Sequence, residues 1–237
     1  MTGATPAPSL GARAAARYRA DLVGTGVVMA APVTGWWATQ LAGPGHDAIR
    51  VGLTAAVTVT FLAVGTGLFR SRVPRWNPLL MVADALLERR KSLSGPQFAG
   101  HLLTQVGAAM AVAGVVVAGC FLAGIATPAV PAPGAVHAFS EMTAAAAAVI
   151  CFFATAHTPT LRMSAAGASA LAATVFLVSG AGFLGNPAVV SGAVVLGLDP
   201  APALVIMVCQ LGGCLIGYGV ATAWWPDIGR RLDTLST

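Results

Sequence analysis

The chain has 237 residues, 57% of them hydrophobic and only 9% charged, with a mean hydropathy of +0.80. Soluble domains carry about 25% charged residues, so 21 charged side chains (13 Lys and Arg, 8 Asp and Glu) cannot coat a globule of this size, and soluble enzymes, nucleic-acid-binding modules and disordered tails are excluded. The net charge of +5 therefore reports membrane topology, and the composition implies an all-α integral membrane protein.

In chain order, residues 1–19 carry Arg13, Arg17 and Arg19 but no short apolar core closed by a cleavage site, so they read as a cytoplasmic tail with no removable signal peptide. Apolar stretches near 20–42, 48–69, 98–124, 135–156, 163–182 and 201–225 are each long enough for a helix to cross a hydrocarbon core about 30 Å thick. Six transmembrane helices are expected, in a single membrane domain over 20–225, followed by a second tail at 226–237. Two further apolar pieces, 76–83 and 185–192, are too short to cross.

Six spans place successive loops on alternate sides, and 12 of the 13 cationic residues then share one face, Arg50 being the exception. That face is expected to be cytoplasmic, in a cell membrane, with both termini on it. The pairs Trp36-Trp37 and Trp224-Trp225 suit opposite interfacial belts. Cys120, Cys151, Cys209 and Cys214 lie in apolar runs and read as small hydrophobes, while Gly213 and Gly217 read as a helix-packing pair.

The two halves look related, with repeat one at 20–124 and repeat two at 135–225. Asn77-Pro78 recurs as Asn186-Pro187 after 109 residues, Gln105 as Gln210 after 105, and Asp21 as Glu141 after 120. An odd number of spans per half makes this an inverted repeat. Asn favours the helix N-cap and Pro the first helical position, so each Asn-Pro starts a helix, and runs of about ten residues make these re-entrant half-helices. Two such N-termini meeting at the bilayer centre would disfavour cations there. Amide donors on the two Asn would remain for a neutral solute.

These features resemble those of the aquaporin or major intrinsic protein family. Asp21-Leu22-Val23-Gly24-Thr25 is similar to the opening of the family's first span, Asn77-Pro78-Leu79 and Asn186-Pro187-Ala188 to its two Asn-Pro-Ala boxes, and Gln105 to its third-span Gln. The resemblance implies an aquaporin-like fold of six transmembrane helices around two re-entrant half-helices, assembled as a homotetramer. It also implies that Asp21 and Glu141 hold the re-entrant loops, and that Val57, Thr174, Phe183 and Val189 form the outer selectivity constriction. The chain departs from the family pattern at Val189, where the family has Arg, at Leu79, where it has Ala, and at Arg75, where it often has His. An apolar constriction favours uncharged, partly apolar solutes.

His46, His101, His137 and His157 are scattered without metal-site or triad spacing, so no enzyme, metal or cofactor is expected. The expected function is a passive channel for water or small uncharged solutes such as glycerol, with the bilayer and the solute as partners and no role for nucleic acid. A gated or coupled transporter of a weak acid or ammonia, and a closed family member acting as a scaffold, are the alternatives.

Overall fold

A computed structural model of the chain describes residues 10–42, 77–87, 94–130, 132–156 and 182–226, together with Ala48 and Gly52. Their principal helices are α1 (Leu10–Ala42), α2 (Pro78–Leu87), α3 (Gly95–Ala123), α4 (Ala135–Ala156), α5 (Pro187–Val195) and α6 (Pro200–Trp224), and no strand occurs among them. The second and fifth apolar stretches, 48–69 and 163–182, lie almost wholly outside the described residues, as do Val57, Thr174 and Arg75.

Helices α3, α4 and α6 are long and apolar enough to cross a membrane. Their ends follow local chemistry. Gln97 reaches back with Oε1 to the Ser94 N–H (3.2 Å) ahead of α3, and Asp199 accepts from the Ala201 N–H (2.9 Å) ahead of α6. Helix α3 stops at Gly124, whose φ of 66° lets Ile125 bond back to Cys120 and Gly124 to Phe121. Helix α1 departs from expectation: it begins at Leu10, inside the segment read as a tail. Ala and Arg dominate that segment and are strong helix formers, so the helix continues outward past the apolar stretch.

The distribution of polarity is inverted relative to a soluble protein. Large apolar side chains such as Leu103, Val115 and Phe121 on α3 and Leu204, Val208 and Ile216 on α6 are exposed, whereas Asp21, Asn77, His101, Gln105, Glu141, Asn186 and Gln210 are buried. Lipid tails satisfy the former, and only an internal partner satisfies the latter. Packing is closest between α4 and α6: a Cβ on Gly213 would stand 2.0 Å from the Met142 carbonyl oxygen, and one on Gly217 would stand 2.5 Å from that of Ala146. Small residues on one helix facing an alanine run on the other let the backbones approach to this distance.

The short helices are exchanged between halves. Helix α5, from the second half, packs chiefly on α3 and also on α6 and α1, while α2, from the first half, packs on α4 and α6. Helix α6 serves as a ruler for their directions. Ala203 and Ile206, in its N-terminal half, share a core with Val189, Val190 and Ala193 of α5. Further along, the Cys214 thiol donates to the Leu79 carbonyl (3.3 Å) and the Tyr218 hydroxyl to that of Leu86 (3.3 Å), near the two ends of α2. The two short helices therefore start at the middle level of α6 and run apart. At 1.5 Å per residue, ten and nine residues give lengths of about 15 and 13 Å, roughly half a hydrocarbon core each.

Candidate functional site

The N-termini of α2 and α5 meet where Asn77 reaches the loop just ahead of Asn186. Each Asn caps its own helix in the same way: Asn77 Oδ1 accepts from the Leu79 N–H (3.0 Å), and Asn186 Oδ1 from the Ala188 N–H (3.0 Å). Pro78 and Pro187 occupy the first helical positions, where no N–H is needed. Across the junction, Asn77 Nδ2 donates to the Gly185 carbonyl oxygen at 3.0 Å, so one of its two N–H groups fixes the opposite loop. Both Asn side chains are buried, and two helix N-termini put partial positive charge at one point in the interior.

Glu141 builds the loop ahead of Asn186. Its Oε1 accepts from the Phe183 N–H (2.9 Å), and its Oε2 from the Gly185 N–H (2.8 Å) and from Gln210 Nε2 (2.9 Å). Only an acceptor with two oxygens meets three donors so placed. The loop needs this grip, because Leu184 sits at φ 61°, a left-handed conformation that costs a non-glycine residue on the order of 1 kcal/mol or more. Gly185, at φ 59°, also passes so close to α4 that a Cβ would fall 2.7 Å from the Ala145 nitrogen.

Asp21, which the sequence offsets pair with Glu141, is engaged differently. Its Oδ2 hydrogen-bonds His101 Nδ1, and its Oδ1 accepts from Gln105 Nε2 at 3.1 Å. Gln105 Nε2 also lies 3.0 Å from the sulfur of Met81 in the first turn of α2. Asp21 thus reaches the first short helix through the side chain of Gln105, and the loop ahead of Asn77 lies outside the described residues. Sequence reasoning passed over His101. The signal was its place one helical turn before Gln105, on the face that an acid in α1 must satisfy.

Of the expected constriction, Phe183 and Val189 are described, and both are fully buried in one apolar cluster with Val28, Met29, Val33 and Trp36. Trp36 corrects the interfacial-belt reading: it is 3% exposed and packs edge-on against Phe183, with ring centroids 5.9 Å apart. A tryptophan at a helix end reads the same in sequence whether it faces headgroups or a neighbouring loop. Trp224, 67% exposed and edge-on to Trp225, keeps the outward position expected of it. Leu79 is enclosed in the cluster containing Val149, Phe153 and Cys214, with its carbonyl accepting from the Cys214 thiol. No protein-family model matches the chain, and no curated protein matches it significantly.

Proposed function

We propose that the protein is a passive, aquaporin-type channel of a cell membrane for water and small uncharged solutes of the glycerol class, with a pore in each subunit of a homotetramer. The observation that carries the proposal is the meeting of two oppositely directed half-helices at their N-termini, tied by the Asn77 amide to the Gly185 carbonyl. Backbone that leaves a helix at membrane depth is tolerated only where protein encloses it or water reaches it, and paired interrupted helices in matching halves mark a transport site.

In this reading Asn77 and Asn186 orient the solute. Capping uses their oxygens, so each amide nitrogen, not its carbonyl, is turned toward a passing hydroxyl or water oxygen. The converging helix dipoles oppose cations and protons at the same point. Phe183, Val189 and Trp36 share an apolar cluster with no fixed charge among them, and in this reading that cluster bounds the outer side of the pore. A solute there loses water contacts without receiving an Arg donor in exchange, which favours molecules that carry some apolar surface.

Stopped-flow light scattering on proteoliposomes tests the proposal. Vesicles with the protein should respond to water and glycerol gradients faster than empty vesicles, with a low activation energy, flux linear in concentration and no proton current. Rates equal to those of empty vesicles for water, glycerol and urea would refute it. Saturating flux driven by a proton gradient would replace it with a coupled carrier.

A further inference from the structure

Each half buries an acid against a glutamine of a neighbouring helix, yet only the first half adds an imidazole. One turn before Gln210 the chain has Ile206, buried in the apolar cluster, whereas one turn before Gln105 it has His101. His101 and Asp21 are each 2% exposed, and His101 Nδ1 is committed to Asp21 Oδ2. Nε2 of His101 is buried with no hydrogen-bond partner. The ring of Tyr18 tilts against the imidazole, with centroids 4.8 Å apart.

A neutral imidazole beside an aspartate leaves one net negative charge in the protein interior, while one added proton makes a neutral ion pair. The two states differ by a full charge where an uncompensated charge is costly. The other groups around the pair are few. Tyr18 comes from α1, which also carries the exposed Arg19; Gln105 comes from α3; α2 contributes Met81 by way of Gln105 and carries Asp84 about one turn beyond it. Helix α5, packed on both α1 and α3, bears no charged residue.

Gln105 makes the pair consequential. Its Nε2 is shared between Asp21 and Met81, four residues after Asn77. A change of charge on the pair alters how strongly Asp21 holds that amide, and so how α2 is seated. We propose that Asp21 and His101 form a buried proton-binding site whose occupancy sets the seating of α2, and thereby the permeability at Asn77. The effect on permeability rests on the channel reading, and the proton site itself does not.

The test uses the full chain in liposomes at symmetrical pH values from about 5 to 9, the range in which imidazole titrates. Water and glycerol flux should change about tenfold between the two ends of this range, following the uptake of a single proton. H101N keeps a hydrogen-bond donor toward Asp21 but does not titrate, and should flatten the profile. In parallel, NMR of nitrogen-15 histidine and methyl-carbon-13 methionine in the lipid-embedded native protein should show the His101 ring and the Met81 methyl changing together, H101N assigning the first signal.

A His101 ring that does not titrate in this range, or one that titrates while Met81 stays unchanged, overturns the proposal. So does a pH-dependent flux that survives in H101N. Coupled changes of His101 and Met81 in a protein that passes no solute at any pH would uphold the proton site and refute the channel.

Discussion

Removing the carboxylate of Glu141 is the sharpest test of how the second half-helix is held. In Glu141→Leu the Phe183 and Gly185 N–H groups and the Gln210 amide all lose their buried acceptor. A buried donor left unsatisfied costs about 1–3 kcal/mol. Gln210 can turn its amide away, so the two backbone donors dominate, giving a loss of about 2–6 kcal/mol. Glu141→Gln should be milder. Its one oxygen serves one backbone donor and its NH2 meets the other, but Gln210 carries a buried Oε1 with no partner, and by flipping can present that oxygen to the new NH2. One orphaned donor remains, at about 1–3 kcal/mol. Unfolding of each variant in mixed detergent micelles, followed by circular dichroism and tryptophan fluorescence, should rank native above Glu141→Gln above Glu141→Leu. A Glu141→Leu protein as stable as native, or less damaged than Glu141→Gln, would refute the assignment of Glu141 as the loop's anchor.

Three further outcomes are expected. Gly213→Val should separate α4 from α6, since even a Cβ would meet the Met142 carbonyl oxygen at 2.0 Å, and size-exclusion chromatography should show the variant aggregated or absent. If the protein is the proposed channel, Val189→Arg should lower glycerol flux more than water flux in the same liposomes, because it adds bulk and charge to an apolar cluster; unchanged selectivity would remove Val189 from the filter. Trp36→Ala should destabilise the fold by about 3–5 kcal/mol, as truncation of a buried aromatic does. Its unfolding in the same micelle assay should locate that loss, and a change within error would place Trp36 outside the core.

The parts of the site that could be read from sequence are those whose chemistry permits few alternatives. An Asn-Pro ahead of a short apolar run has little to do but cap a helix, and both caps form, with Oδ1 on the N–H two residues ahead. An acid inside an apolar stretch must find donors, and both Asp21 and Glu141 do. Helix α4 begins at Ala135, the first residue of its apolar stretch, just after Pro133 and Gly134. Residues whose role depends on what lies opposite were not legible in this way. Trp36 required knowledge of where Phe183 would sit, and His101 required the register of α1 against α3. The early start of α1 was hidden because hydropathy marks where a membrane helix is apolar, whereas Ala-rich propensity decides how far the helix extends.

At the offsets read from sequence, the two halves agree more in their contacts than in their residues. At the offsets that relate Asp21 to Glu141 and Gln105 to Gln210, Gly26 corresponds to Ala146 and Val112 to Gly217. Gly26 faces Val112 at 3.5 Å from its would-be Cβ, and Gly217 faces Ala146 at 2.5 Å from its carbonyl oxygen, so the second pair carries Gly on the other helix. Similarly, Gly192 of α5 sits under Met29, whereas the corresponding Ala83 of α2 shares a cluster with Val149. At each such point volume given up by one helix is taken by its neighbour, as close packing requires. Because each half-helix is packed on the opposite half's long helices, this complementarity runs between halves as well as within them. A larger residue at Gly192 would press on Met29 and the Ala109 carbonyl of the first half while leaving the second half's own pairs untouched. The half-helices are therefore seated jointly by the two halves, which keeps their N-termini in register at Asn77 and Gly185.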